Sequence, residues 1–240
     1  MITAPARKSQ MTLLASDRGW HARASMQFLL EHPTLRLSIV RARGVKCAAS
    51  ADELLALMRA AEEAVRTDSS VFPEIVRAEV RNVLRAGGYK PTGRGKPASE
   101  FLLGAALNHG LPRVNNLVDI NNFVSLKTAL PISIFDSQRL GSDVSIRFGR
   151  VGEKYVFNNS GQEMDINGLP VVCRADEPVG NAVKDSMHTK VEAETQEVLA
   201  VIYGSRQLPS GYLERAAVQL EGLLAAFAGP TTSAIELVPD

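Results

Sequence analysis

The chain has 240 residues, of which 45% are hydrophobic, and a formal net charge of +1. A chain of this length and composition buries a core without disulfides or metals, as one large domain or two small ones. The near-neutral charge excludes a uniformly basic surface, so any contact with RNA must come from a local patch. Cys47 and Cys173 show no CxxC spacing, and no apolar run has the roughly 18 residues of a membrane span. These features predict a cytoplasmic protein that does not bind a membrane.

Residues 1–50 are predicted to form a helix and a strand that belong to the same domain as the rest of the chain. The helix is expected at about Asp17 to Glu31. It must end before Pro33, because proline disfavours the helical conformation of the residue that precedes it. Apolar and other residues then alternate over residues 35–40, which is the period of a half-buried strand.

Two helices are expected next, over residues 51–66 and from Pro73 to residue 86. Ser50 and Glu53 have the spacing of a capping box for the first of them. The second has proline in its first turn and stops at a pair of glycines, where a left-handed cap is available. Its predicted buried stripe consists of Phe72, Ile75, Val76, Val80, Val83 and Leu84.

The second half of the chain changes from a helical to a strand pattern. A third helix is expected near residues 99–108, closed by Gly110. From Pro131 onward, short runs rich in β-branched and aromatic residues are separated by turn residues, so residues 131–205 are predicted to be mainly sheet. A last helix is expected over about residues 211–228, followed by a strand. Since there is no repeat or low-complexity tract, we predict one α+β domain.

Two sequence runs lie where the pattern changes. Residues 115–124 read NNLVDINNFV, and residues 130–136 read LPISIFD. Their order and spacing resemble the runs N-x-V-V-D-V-T-N-Y-V and G-Q-P-M-H-A-F-D in the aminoacyl-tRNA editing domain of the phenylalanyl-tRNA synthetase β subunit. The run AVKDSMHTKVEAETQEVLAVIYGS at residues 182–205 is similar to the catalytic-loop segment of that domain and the strand after it. The resemblance as a whole covers about residues 72–205, and these runs carry it.

This resemblance implies a fold and an activity. The implied fold is α+β, with a central mixed β-sheet or barrel-like sandwich and flanking helices, and residues 51–240 would form the editing-like domain. The implied activity is hydrolysis of the ester of a misacylated tRNA by a trans-acting deacylase. The motor and anticodon-binding domains of a synthetase are not matched, so the chain is not expected to charge tRNA itself. The expected partner is the aminoacylated 3′ end of tRNA.

The resemblance also implies site residues. The family's Thr-Asn pair falls on Asn121 and Asn122, its histidine falls on Ser133, and its loop glutamate falls on or near His188. Asn121, Ser133 and His188 thus differ from the family pattern. The catalytic residues implied are Asn121, Asn122, Asp185 and His188. The substrate-binding residues implied are Asp119, Ser133, Lys184, Ser186 and Thr189.

The chemistry of these residues leaves alternatives open. Four asparagines within eight positions also suit helix caps and turns, and a polar loop at residues 184–189 also suits a solvated surface. If the loop is functional, we expect Asp185 to orient His188, whose imidazole then accepts a proton from water near neutral pH. The aminoacyl ester is already activated, so positioned water and the amide and hydroxyl donors of Asn121, Asn122 and Ser133 would suffice.

A basic strip precedes the resembling segment. It consists of Arg77, Arg81 and Arg85, which recur every four residues, and of Lys90, Arg94 and Lys96 in a glycine-rich loop. This strip predicts contacts with tRNA phosphates, although a charged helix face is also typical of plain solvated surface. Aromatic residues make up only 5% of the chain, so base stacking is not expected to be the main binding mode.

No cofactor is expected from the motifs. The chain lacks a phosphate-loop pattern, a paired metal-ligand spacing and a G-x-S-x-G elbow, so we predict no metal and no nucleotide cofactor. Two further functions stay open besides the deacylase. One is a non-catalytic module that binds tRNA or an amino acid, and the other is a small-molecule amidase or esterase on the same scaffold.

Overall fold

The computed structural model describes residues 26–238, which form two four-stranded sheets, a short two-stranded ribbon and a layer of helices. In chain order the main elements are β1 (Gln27–Phe28), β2 (Leu35–Arg43), α1 (Asp52–Thr67), α2 (Glu74–Arg85), α3 (Ala98–Asn108), α4 (Asn116–Thr128), β3 (Ile132–Asp136), α5 (Ser137–Leu140), β4 (Val144–Phe148), β5 (Lys154–Val156), β6 (Glu163–Asp165), β7 (Pro170–Arg174), β8 (Glu177–Asn181), β9 (Glu197–Ser205), α6 (Tyr212–Ala228) and β10 (Thr232–Val238). Short 3₁₀ helices lie at Ser69–Val71, Gly93–Gly95 and Met187–Thr189.

The two larger sheets differ in strand direction. The central sheet has the order β10–β2–β9–β3, and all its neighbouring strands are antiparallel. The outer sheet has the order β1–β4–β7–β8, in which β1 runs parallel to β4 and the other pairs are antiparallel. Strands β3 and β8 are therefore edge strands of their respective sheets.

The central sheet is buried on both faces. Because side chains alternate along a strand, Val40 and Ile202 pack among the helices, whereas Ile39 and Val201 face the outer sheet. Helices α1, α3, α4 and α6 cover the first face. The molecule thus has three layers, and the prediction of an α+β sandwich with flanking helices is confirmed. Within residues 26–238 neither sheet closes into a barrel.

Most of the long elements were predicted from the sequence. The expected helices are found as α1, α2, α3 and α6, and residues 131–205 hold strands β3 to β9 as expected. Helix α2 ends before Gly88, which adopts the left-handed conformation with φ of +87°. Strands β6 and β8 lie in this segment without a clear signal of their own, because EMD is too short to define a period and EPVGN shows no alternation.

Three local predictions were wrong. Residues 26–31 contain the strand β1 instead of the end of a helix, and the rest of that predicted helix lies outside the described residues. The capping box does not form, because Ser50 Oγ donates to Asp119 Oδ2 at 2.7 Å and Ala51 is the N-cap of α1. Ile75, expected in the buried stripe of α2, is 60% exposed.

Among residues 26–238, no helix is both long enough and apolar enough to cross a bilayer.

Candidate functional site

A buried polar cluster lies between the edge strands of the two sheets. Ser133 on β3 points toward the outer sheet, and its Oγ donates a hydrogen bond to Asp185 Oδ1 at 2.6 Å. The Tyr203 hydroxyl on β9 lies 3.2 Å from the same Ser133 oxygen. Because the proton of Ser133 is engaged with Asp185, Tyr203 donates to Ser133. Ser133 and Tyr203 are each 2% exposed, whereas Asp185 is partly exposed.

The carboxyl group of Asp185 titrates near neutrality. Burial raises the pKa of Asp185 from 3.8 to about 7, although the hydrogen bond from Ser133 and the charge of Lys190 act in the opposite direction. Burial, together with the nearby Asp185, also raises the pKa of Tyr203 well above its usual value, so its hydroxyl keeps its proton. At pH 7 Asp185 therefore exchanges a proton readily, which is what a general base requires.

A glycine lets the loop of Asp185 approach β3. A Cβ added to Gly180 would lie 2.5 Å from the ring of Phe135 and 2.6 Å from Asp185 Oδ1. Both distances are too short for a carbon atom, so any larger residue at position 180 displaces Phe135 or Asp185. The absence of a side chain at position 180 thus brings the carboxylate within reach of Ser133.

The loop is fixed by Asn181 and Tyr155, which the sequence did not single out. Asn181 Oδ1 accepts hydrogen bonds from Val183 N at 2.7 Å and from Lys184 N at 3.1 Å. Asn181 Nδ2 donates to the hydroxyl of Tyr155, which donates to the carbonyl of Lys184 at 2.5 Å. The Gly-Asn dipeptide at the end of β8 was the available signal, because asparagine often bonds the backbone two residues further on.

Asn121 supports the cluster from the open edge of β3. Its Nδ2 donates to Ile132 O at 3.0 Å, and that carbonyl belongs to the peptide group that precedes Ser133. Asn121 is 6% exposed, and its Oδ1 has no hydrogen-bond partner among the described residues. Asn122 is half-buried, and no hydrogen bond within residues 26–238 engages its side chain. Asn121 is therefore linked to the cluster through the backbone of β3, at the peptide group before Ser133.

His188 does not contact Asp185, so the expected Asp185–His188 pair was wrong. Its Nδ1 lies 2.7 Å from Glu177 Oε1, and both side chains are exposed to solvent. The reason is local geometry: residues 187–189 form a 3₁₀ turn that directs the imidazole outward. Ser186 Oγ accepts the His188 N–H at 3.2 Å and so caps this turn. Thr189 is fully buried, and its Oγ1 has no partner among the described residues.

Asp119 has both carboxylate oxygens engaged in structural bonds. Oδ2 accepts from Ser50 Oγ, and Oδ1 accepts from Val114 N at 2.9 Å. Asp119 is 1% exposed. Its side chain therefore ties the start of α4 to the segments around residues 50 and 114, and no hydrogen bond connects it with Ser133.

The basic strip divides into neutralised and unneutralised parts. Arg81 forms a bidentate ion pair with the buried Glu100, and Arg77 Nε lies 3.2 Å from the same carboxylate. Arg85 donates to Asn82 Oδ1 at 3.1 Å. Lys90, Arg94 and Lys96 form no ion pair within residues 26–238. Glu100 partly neutralises Arg77 and Arg81. Phosphate contacts of the basic strip stay a prediction.

A separate cleft lies at the far end of β2 and β9. It has a volume of about 300 Å³ and is lined by Arg41, Arg43, Ser137, Gln138 and Glu197 among others, and by none of the predicted site residues. Within the described part of the chain, no group of three His, Cys, Asp or Glu side chains is placed to hold a metal ion.

Comparisons with known proteins cover the region of the cluster. The model of the B3/4 domain family matches residues 90–208, which contain Asn121, Ser133, Asp185 and Tyr203. The phenylalanine–tRNA ligase β subunit of Streptococcus pneumoniae strain R6 is 29% identical over 117 residues, which are 47% of this chain and 14% of the relative. The same subunit of Nitrobacter winogradskyi is 33% identical over 86 residues, 36% of this chain and 9% of the relative.

One solved structure is similar to about half of this chain. An N-terminal fragment of the phenylalanyl-tRNA synthetase β subunit from Pyrococcus horikoshii matches 52% of this chain and 45% of that fragment, with 12% identity and a TM-score of 0.42. The chain spans only a small part, 9% to 14%, of the two ligase subunits named above. Residues 90–208 match the B3/4 domain family, and in that region the chain resembles the phenylalanyl-tRNA synthetase β subunit.

Proposed function

We propose that this chain is a trans-acting deacylase that hydrolyses the ester between an amino acid and the 3′ end of tRNA. The observation that carries the proposal is the carboxyl group of Asp185, whose pKa burial raises to about 7. It lies in the loop that joins the two sheets and within the B3/4 region. The relatives named as phenylalanine–tRNA ligase β subunits support tRNA as the partner.

The proposed reaction uses water as the nucleophile. The Asp185 carboxylate accepts a proton from water while the water oxygen attacks the ester carbonyl carbon. The bond between that carbon and the ribose oxygen then breaks, and the ribose oxygen leaves with the proton returned from Asp185. The products are a free amino acid and uncharged tRNA.

Ser133 and Tyr203 position the base in this mechanism. The hydrogen bond from Ser133 holds Asp185 Oδ1 at 2.6 Å, and a backbone hydrogen bond with Asn181 also holds the carboxyl group. The amide of Asn122 is our candidate for the donor to the developing oxyanion, because no hydrogen bond within residues 26–238 engages it. His188 has no role in this proposal, since its ring is paired with Glu177 in solvent.

Deacylation of a panel of charged tRNAs tests the proposal. We expect the chain to release the amino acid from at least one misacylated tRNA and Asp185→Asn to remove this activity at saturating substrate. Asp143→Asn is the matched control, because Asp143 is an exposed aspartate outside the cluster. Equal rates for wild type and Asp185→Asn would refute Asp185 as the base.

A non-catalytic module that binds tRNA or an amino acid is the second candidate. The position of His188 favours it, because its imidazole is paired with Glu177 in solvent and the loop therefore lacks the histidine base expected from the sequence. This candidate predicts that the chain binds charged tRNA and leaves the ester intact throughout the panel. A simple amino acid ester included in the panel tests the esterase alternative, which predicts hydrolysis without tRNA.

A further inference from the structure

A group of cations borders the loop of Asp185. The ammonium group of Lys184 lies 3.9 Å from the centroid of the Phe157 ring, in a cation–π contact. The ammonium group of Lys190 donates to the carbonyl oxygen of the same Phe157 at 3.0 Å. Since both groups are held by one residue, their positions are largely fixed before a ligand binds, which lowers the entropic cost of binding.

A third cation reaches this group from the glycine-rich basic loop. Arg94 lies in the short helix Gly93–Gly95 and is exposed. Burial lowers the pKa of Lys184, and the positive charge of Arg94 lowers it further. A hydrogen bond of 2.9 Å between Ala98 N and Ala182 O joins the end of the basic loop to the start of the Asp185 loop.

The three cations form no ion pair among the described residues, and the carboxyl group on which the charge of Lys190 acts is that of the proposed base, Asp185. Within residues 26–238, no carboxylate forms an ion pair with Arg94, Lys184 or Lys190, whereas Arg77 and Arg81 share Glu100. Like charges held near one another repel, and a bound anion relieves this repulsion. The arrangement therefore favours a ligand that carries negative charge.

We propose that Arg94, Lys184 and Lys190 bind phosphodiester groups of an RNA strand whose 3′ end lies at Asp185. This inference rests on the proposed deacylase function and names the part of the substrate that is held. The cations flank the loop that carries the base, so a strand bound to them delivers its terminal ribose to Asp185. Ammonium groups suit this task, because a lysine acts as a point charge for phosphate without fixing a base sequence.

Binding of an RNA hairpin that reproduces a tRNA acceptor stem tests this site. Titrations over a range of salt concentrations compare the wild type with Arg94→Gln, Lys184→Gln and the control Arg59→Gln. Arg59 is an exposed arginine on α1, away from the Asp185 loop. We expect Arg94→Gln and Lys184→Gln each to weaken hairpin binding severalfold. Each should also reduce the magnitude of the slope of log K against log salt concentration by about 0.7–0.9. We expect Arg59→Gln to behave like the wild type.

Deacylation measured on the same variants separates this site from the proposed function. If the wild type binds the hairpin with the expected salt dependence and leaves every aminoacyl ester intact, the phosphate site is supported and the deacylase proposal is refuted. If the ester is hydrolysed but Arg94→Gln and Lys184→Gln bind like Arg59→Gln, the phosphate site is overturned. Wild-type affinity for pyrophosphate or a polyglutamate peptide that equals the affinity for the hairpin also overturns the assignment to an RNA strand.

Discussion

Replacing Asp185 by asparagine should stabilise the protein in neutral and alkaline solution while removing the proposed base. Asparagine has nearly the same shape, and its side-chain oxygen still accepts the hydrogen bond from Ser133. It removes the ionisable carboxyl group. The folded protein favours the protonated form of this group, because burial raises its pKa from 3.8 to about 7.

The sign and size of the effect follow from this difference in pKa. The stabilising contribution of the protonated acid is complete below pH 3.8 and is lost as the pH rises through about 7. At 1.36 kcal/mol for each pH unit, the full loss is on the order of 4 kcal/mol. Asp185 is partly exposed, so solvent reduces this value, and we expect a gain of about 1–3 kcal/mol for Asp185→Asn at alkaline pH.

Urea unfolding measured over a pH series tests this reasoning. The difference in unfolding free energy between Asp185→Asn and the wild type should be small below pH 3.8, grow between pH 3.8 and about 7, and then level off. The control Asp143→Asn should show no such growth, because Asp143 is exposed. A difference that does not change with pH, or a variant less stable than the wild type at alkaline pH, would refute the buried-acid account.

Three other predictions address the loop, the oxyanion donor and acid stability. Asn122→Ala should lower kcat by about 10²–10³ with little change in tRNA affinity, as measured by single-turnover deacylation and hairpin binding. Gly180→Ala should destabilise the fold by about 1–3 kcal/mol and lower activity, because its Cβ would strike Phe135 and Asp185; Gly222→Ala on α6, where nothing lies within 4 Å, is the control. Burial lowers the pKa of His32 below 6.5, so its stabilising contribution is present above pH 6.5 and lost as the pH falls through the folded pKa. His32→Gln should remove this acid sensitivity in urea unfolding.

The long amphipathic elements were predictable because their periods are visible in the sequence. Helices α1, α2, α3 and α6 each extend over at least three turns, so apolar residues recur often enough to define a face. Strand β1 was missed because it has two residues, Gln27 and Phe28, that pair with β4 more than a hundred residues away. Such a pairing leaves no local period.

Local motifs failed where a distant residue supplied a better partner. The spacing of Ser50 and Glu53 suggested a capping box, yet Ser50 donates to Asp119, which is 69 positions away. The spacing of Asp185 and His188 suggested a pair, yet Asp185 accepts from Ser133, 52 positions away. In both cases the hydrogen bond formed is set by how β3 or α4 packs against the rest of the fold. Family resemblance placed Ser133 and Asp185 in one site, whereas their spacing alone did not.

The cost of ionising Asp185 is itself an argument for function. An asparagine at position 185 would keep the hydrogen bond from Ser133 and would avoid a buried charge, so the fold alone does not require an acid there. Burial is the cause of this cost, and the hydrogen bond from Ser133 and the charge of Lys190 do not cancel it. Groups that lower stability in this way are typical of sites where chemistry needs a pKa near neutrality. Asp185 is a proton acceptor of that kind, and the neighbouring cations form no ion pairs among the described residues. Together they suit a substrate in which an ester is joined to phosphate groups.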